Sequence, residues 1–197
     1  MGAFGAQARH VAASIWRMNA ATNLVLVGPM GAGKTSIGRR VAELLQMAFV
    51  DADRDIELRT GVAVGTIFEC EGEAGFRARE RAALAELLAG DGQVIATGGG
   101  AVLDAGNRQR MRERGFVVHL DVGVAVQLQR LARDRVRPLL QRDDREQVLR
   151  DMSIQRAPLY ADVADLRFET EGLTAIEAAC TLVRMLEGHW HRGSVAA

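Results

Sequence analysis

The chain contains a single lysine, Lys34, and all its other basic side chains are arginines or histidines. Its two cysteines, Cys70 and Cys180, are far apart and lack metal-ligand spacing, so two reduced cytosolic thiols are expected. No apolar run is long enough to span a membrane. Residues 1–22 are alanine-rich, but Arg9, His10 and Arg17 interrupt the continuous apolar core that a secretory signal needs. Formal net charge is zero, which removes bulk basicity as a reason to expect nucleic acid. There is no internal repeat and no low-complexity segment.

At 197 residues, 48% hydrophobic and 25% charged, the chain suits one globular domain with an ordinary core. Its chemistry starts at Gly28-Pro-Met-Gly-Ala-Gly-Lys-Thr35, which fits the phosphate-loop pattern G-x-x-x-x-G-K-[ST]. The context is right: Asn23–Val27 reads as a buried strand, and Ser36–Leu45 as a helix with Ile37, Val41, Leu44 and Leu45 on one face. Glycines let backbone N–H groups curl around phosphate oxygens, and the helix N-terminus adds partial positive charge. Lys34 would reach the β- and γ-phosphates, and the Thr35 hydroxyl would ligate Mg²⁺. An ammonium is compact, whereas a guanidinium would overfill a tight phosphate cradle, which gives a reason for the one lysine to stand here.

Ala48–Asp53 reads as a second strand ending in Asp51 and Asp53, two residues apart and so on one side of it. Strand carboxyl ends hold the ligand crevice of an open α/β sheet. Either aspartate could instead cap the helix that follows near Arg54. Asp55–Gly61 reads as a short helix and Thr66–Glu69 as a helical turn, and Gly72–Arg77 leads into a helix over Ala78–Ala89. Near the start of that helix the Arg77 cation is unfavourable beside the dipole, which a ligand anion or Glu73 could offset; the other reading is a solvated surface arginine. Gln93–Thr97 is a strand with Gly98-Gly-Gly100 at its end, suited to close backbone approach by a ligand or to a flexible turn. Asp104–Arg114 is a polar helix, Phe116–Asp121 a strand with His119 as a packed residue, and Val124–Arg133 a helix. Arginines crowd residues 108–156, and Arg135–Leu140 with the charged stretch Gln141–Arg150 reads as a loop of the kind that forms a mobile lid. Leu166–Phe168 is a last strand and Thr174–Leu186 an amphipathic helix, with Trp190 and His191 in a frayed tail. The βαβα alternation implies a parallel sheet with helices on both faces.

Several stretches together resemble the shikimate kinase family. They are Gly28-x-Met-Gly-x-Gly-Lys-Thr35 with Gly38-Arg39, Phe49-x-Asp-x-Asp53, Ile67-Phe68, Gly72-Glu73 with Phe76-Arg77 and Glu80, Gly98–Gly100, Arg137-Pro-Leu-Leu140 and Arg156-x-Pro-x-Tyr160. They run in family order from about residue 23 to 187. The resemblance implies a three-layer α/β/α P-loop kinase fold: a five-stranded parallel sheet over 23–188, with a mobile lid at about 135–155. It leaves residues 1–22 as an extension, of which 1–17 are expected to be dispensable with Met18 as an alternative start, and 189–197 as a tail.

The resemblance further implies ATP-dependent phosphorylation of the 3-hydroxyl of shikimate in aromatic amino-acid biosynthesis, with Mg²⁺ as cofactor, by a cytoplasmic monomer without nucleic-acid or membrane partners. ATP would be held by Gly31, Ala32, Gly33, Lys34, Thr35 and Ser36, with Arg130 against adenine and Arg137 swinging in on the lid. Shikimate would be held by Asp53, also the base, by Arg77 and Arg156 on its carboxylate, and by backbone N–H groups of the Gly98, Gly99 and Gly100 turn. The metal would take Thr35 directly and Asp51 through water. Lys34, Asp53 and Arg137 are the expected catalytic residues. A gluconate-type kinase of the same fold is the nearest alternative. A GTP switch is excluded, because its Asn-Lys-x-Asp motif needs a lysine that this chain has only in the phosphate loop.

Overall fold

Strand β1 (Asn23–Val27) is buried at every residue and is the centre of a five-stranded sheet. The structure is a computed structural model and describes residues 21–132 and 144–191. The expectations for residues 1–17, for Met18 as a start and for Arg137 fall outside these residues. After β1 come α1 (Lys34–Leu45), β2 (Ala48–Asp51), α2 (Ala52–Thr60), α3 (Val64–Ala89), β3 (Gln93–Ala96) and a 3₁₀ turn (Ala101–Leu103). Then follow α4 (Ala105–Arg114), β4 (Gly115–Asp121), α5 (Val124–Arg130), α6 (Arg145–Val163), β5 (Leu166–Glu169) and α7 (Ala175–His189).

All strand pairs are parallel, in the order β2-β3-β1-β4-β5. Val25 lies opposite Ile95 on one side and Val117 on the other. Side-chain alternation splits the core in two. Leu24, Leu26, Val118 and Leu120 pack against Ile37 and Val41 of α1 and Leu182 and Leu186 of α7. Val25, Val27, Ile95 and Val117 pack against Leu84 and Leu88 of α3, Met111 of α4, and Tyr160 and Val163 of α6. This is the expected three-layer arrangement. No helix among the described residues is long and apolar enough to cross a membrane.

The structure differs from the sequence reading in several places: the helix read as Val124–Arg133 ends at Arg130, the strand read to Thr97 ends at Ala96, and four differences are larger. β2 stops at Asp51, and Asp53 lies in the first turn of α2 rather than on the strand, because the Asp51 side chain accepts from the N–H groups of Asp53 and Arg54 and starts the helix there. The two aspartates therefore do not share a strand face. Residues 64–89 form one helical element broken at Gly72 (φ 69°), so Arg77 stands inside a helix rather than ahead of one. The charged stretch expected to be a loop through Arg150 is helical from Arg145. Trp190 is not frayed: it is buried, stacks on Phe116 at 6.0 Å and donates from Nε1 to the Ala21 carbonyl at 2.8 Å.

Candidate active site

Because every strand runs the same way, the carboxyl ends of β1, β2 and β3 share one edge of the sheet, and Lys34, Thr35, Asp51, Asp53 and Gly98–Gly100 lie at or after those ends. The phosphate loop leaves β1 at Gly28 (φ 143°), where a Cβ would overlap the carbonyl oxygen of Leu120, so only glycine fits. Gly31 and Gly33 also have positive φ (79° and 92°). α1 then starts at Lys34 with no side-chain cap and no acidic residue in its first turn, leaving its N–H groups and dipole to an anion. Lys34 Nζ folds back over the loop and donates to the carbonyls of Gly28 at 2.7 Å and Pro29 at 2.8 Å. Ala32 is fully buried beneath the loop, and Thr35 and Ser36 are exposed on its rim.

The Thr35 hydroxyl donates to Asp51 Oδ2 at 2.6 Å, while Asp51 Oδ1 caps α2 at 3.1 and 3.2 Å. One hydroxyl and one carboxylate are hard oxygen donors that suit Mg²⁺, which takes few protein ligands and completes its octahedron with phosphate oxygens and water. Among the described residues no cluster of three or more His, Cys, Asp or Glu could cage a metal alone. The donor set thus fits a metal carried in with a nucleotide.

Next to the loop, Thr97 anchors the end of β3 by donating from N and Oγ1 to Leu26 O, both at 3.1 Å. The turn Gly98–Gly100 follows and is the hub of the other half of the site. A Cβ at Gly98 would stand 2.6 Å from Glu80 Oε1 and 2.8 Å from Asp53 Oδ1. A Cβ at Gly100 would overlap the Arg77 guanidinium. The Gly99 carbonyl accepts from Tyr160 Oη at 2.5 Å and from Arg156 Nη1 at 3.3 Å. Three bare backbone positions thus let Asp53, Glu80, Arg77 and Arg156 converge from α2, α3 and α6.

Arg77 is not a solvated surface arginine. Its Nη1 donates to Glu80 Oε2 at 2.7 Å, its Nη2 to Glu73 Oε1 at 3.1 Å, and its guanidinium lies 5.3 Å from the Phe76 ring centroid. Burial opposes its charge, but the carboxylates of Glu80 and Glu73 outweigh that and raise its pKa. The Glu80 side chain is only 1% exposed. Burial pushes its carboxyl up, with Arg77 pulling the other way. Arg156 is also buried. Two guanidiniums held beside one turn could together pair with a carboxylate.

Arg130 reaches back to the phosphate loop. Its Nη1 donates to Gly31 O at 3.0 Å and Thr170 Oγ1 at 3.1 Å, and its Nη2 to Thr170 O at 2.7 Å, so it ties the loop to the segment after β5. Two contributors had no role in the sequence reading. Glu80 sets Arg77, and its signal was the i, i+3 spacing that puts the pair on one helix face. Tyr160 fixes Gly99, a contact between distant segments with no local signal.

Comparison with known proteins agrees with this fold. The family model described as shikimate kinase matches residues 30–187. A shikimate kinase of Stenotrophomonas maltophilia is 57% identical over 175 residues, covering 89% of this chain and 97% of the relative. One from Xanthomonas campestris pv. campestris is 57% identical over 180 residues, covering 91% of this chain and all of the relative. Among solved structures, shikimate kinase from Acinetobacter baumannii in complex with shikimate superposes with a TM-score of 0.83 at 48% identity, covering 85% of this chain and 94% of that one.

Proposed function

The chain belongs to the shikimate kinase family, and on that premise we propose that it transfers the γ-phosphoryl group of ATP to the 3-hydroxyl of shikimate, giving shikimate 3-phosphate and ADP on the route to chorismate and the aromatic amino acids. The observation that carries this reading is the convergence of Arg77, Arg156 and Asp53 on the Gly98–Gly100 turn, beside the phosphate loop. A cyclic hydroxy-carboxylate has the two features this place is shaped for.

Arg77 and Arg156 pair with the carboxylate and hold the ring in one orientation, with N–H groups of the glycine turn adding directional contacts. Asp53 binds ring hydroxyls and accepts the proton of the attacking one. The hydroxyl oxygen forms its bond to γ-phosphorus as the bond to the β–γ bridging oxygen breaks, and ADP leaves with that electron pair. In a loose transition state the proton leaves late, so Asp53 need not be a strong base. Lys34 releases the Gly28 and Pro29 carbonyls to take the β- and γ-phosphates. Thr35 directly and Asp51 through water would hold Mg²⁺, whose charge would neutralise the phosphates. Arg137 on the lid adds charge to the transferring group, and closure excludes water. Gly31 to Ser36 and Arg130 hold the nucleotide. A cytoplasmic monomer belongs to the same proposal.

A coupled ADP-release assay with shikimate and, separately, gluconate tests the reading. Shikimate is expected to give by far the higher kcat/KM, and a higher value for gluconate would overturn it.

A further inference from the structure

His119 lies at the carboxyl end of β4, opposite Val27, where the phosphate loop begins, and opposite Arg167 of β5. It is buried, and its ring stacks on Tyr160 with centroids 4.8 Å apart and planes 22° apart. Tyr160 and Arg156, one helical turn apart on α6, both donate to the Gly99 carbonyl. Two nitrogens here are buried without a hydrogen-bond partner among the described residues: His119 Nε2 and Arg156 Nε. Both residues, with the polar Tyr160, Asp121, Gln127 and Ser153 and the apolar Met30, Val122, Leu149 and Met152, line one small cavity of about 30 Å³, roomy enough for a water held by its polar groups.

We propose that His119 is a positioning residue for the substrate-carboxylate clamp, holding Arg156 and Tyr160 in register with Gly99 through its ring stack and through a cavity water shared by its Nε2 and Arg156 Nε. The role rests on the substrate reading above. The imidazole does not touch the substrate. As a neutral acceptor it lets the water take a hydrogen bond from Arg156 Nε and pass one on. Burying Arg156 Nε unsatisfied would instead let the guanidinium turn away from Gly99.

Burial and most of the charged groups around the ring favour its neutral state. Burial lowers its pKa first; Arg167 on β5 and Lys34 on α1 lower it further, and Asp121, with Oδ1 3.9 Å from Nε2, opposes them. On α6, Arg156 is a cation and the Tyr160 hydroxyl is pushed up to about 12 by burial, so it remains a donor. Protonating His119 would put two cations on one cavity and repel Arg156 from its carbonyl.

The test compares wild type, His119→Phe and His119→Gln by shikimate KM, ATP KM and kcat between pH 5.5 and 8.5, with thermal melting as a check on folding. His119→Phe keeps a stacked ring without Nε2, and its shikimate KM is expected to rise about fivefold or more, with the ATP KM and kcat nearly unchanged. His119→Gln restores a neutral acceptor without the stack and should recover part of that loss, together with the Phe variant separating the two contacts. In wild type the shikimate KM should climb on the acid side, and in both variants that climb should vanish. If both variants keep the wild-type KM and its pH profile, the role is overturned. It is equally overturned if both KM values, kcat and melting change together, as a packing defect would give. A wild-type protein that releases no ADP with shikimate overturns the substrate reading and this role with it, whereas an active wild type with indifferent variants removes only the role of His119.

Discussion

The Thr35 hydroxyl donates to Asp51 Oδ2 at 2.6 Å, so the helix carrying the phosphate loop is latched to a strand two places away in the sheet. The same carboxylate caps α2 through its other oxygen. Asp51→Asn separates the two duties, because asparagine also caps helices but brings no charge to a metal-bound water. The variant should melt close to wild type, yet need more Mg²⁺ and lose about 10- to 100-fold in activity at fixed Mg²⁺. A Mg²⁺ titration of ADP release checks this, and an unshifted curve contradicts it.

Arg77→Ala should raise the shikimate KM about 10- to 100-fold and leave the ATP KM within a few-fold, since one ligand alone loses a charged hydrogen-bond partner. Equal losses for both substrates would contradict the clamp. The change also leaves the buried Glu80 carboxyl without its cation, costing about 2–3 kcal/mol in denaturant unfolding. Adding Glu80→Gln should restore part of that stability but none of the KM, which separates the binding role of Arg77 from its structural one.

At Gly100 the backbone occupies space that a side chain would need. Gly100→Ala places a methyl on the Arg77 guanidinium and should displace it, raising the shikimate KM and lowering stability by about 1–3 kcal/mol. Gly188, which has nothing within 4 Å of its Cβ position, is the control: Gly188→Ala should leave the shikimate KM unchanged.

Stability should fall in mild acid because of His119. Its folded pKa lies below the ordinary value of 6.5, chiefly through burial. Below 6.5 the unfolded chain takes up the proton first, so the contribution is whole above that pH and is lost as pH falls through the folded value. The slope is at most about 1.4 kcal/mol per pH unit. Denaturant unfolding across pH 5 to 7.5 should show a shallower decline in His119→Phe than in wild type, and parallel curves would refute the assignment.

Much of the fold was legible because β1 and the phosphate loop advertise themselves. Asn23–Val27 is a bounded apolar run, and its limits in the structure match the reading residue for residue. The end of β2 was misplaced because Ala52 carries no signal and the deciding event is a side-chain cap by Asp51. The start of α6 was hidden by charge without amphipathic spacing, and Pro158 inside the helix reads locally as a breaker. Trp190 looked like tail because its anchor, the Ala21 carbonyl, is at the other end of the described chain. The motif residues of the site were legible as types in a spacing. Their junction at Gly98–Gly100 was not, since it joins α2, α3 and α6 across the sheet edge and leaves no trace in any one segment.

The central place of β1 has a consequence for how the protein is made. Its partners are Val94–Ala96 and Gly115–His119, and among the described residues no neighbouring segment pairs with it. A growing chain therefore carries Leu24–Val27 with both hydrogen-bonding edges bare until β3 emerges from the ribosome, and with one edge bare until β4 does. Such delayed closure slows folding and exposes an apolar strand to wrong partners. The nascent segment at β1 is accordingly where a holding chaperone would act, and a stalled fragment ending before β4 is where aggregation would begin.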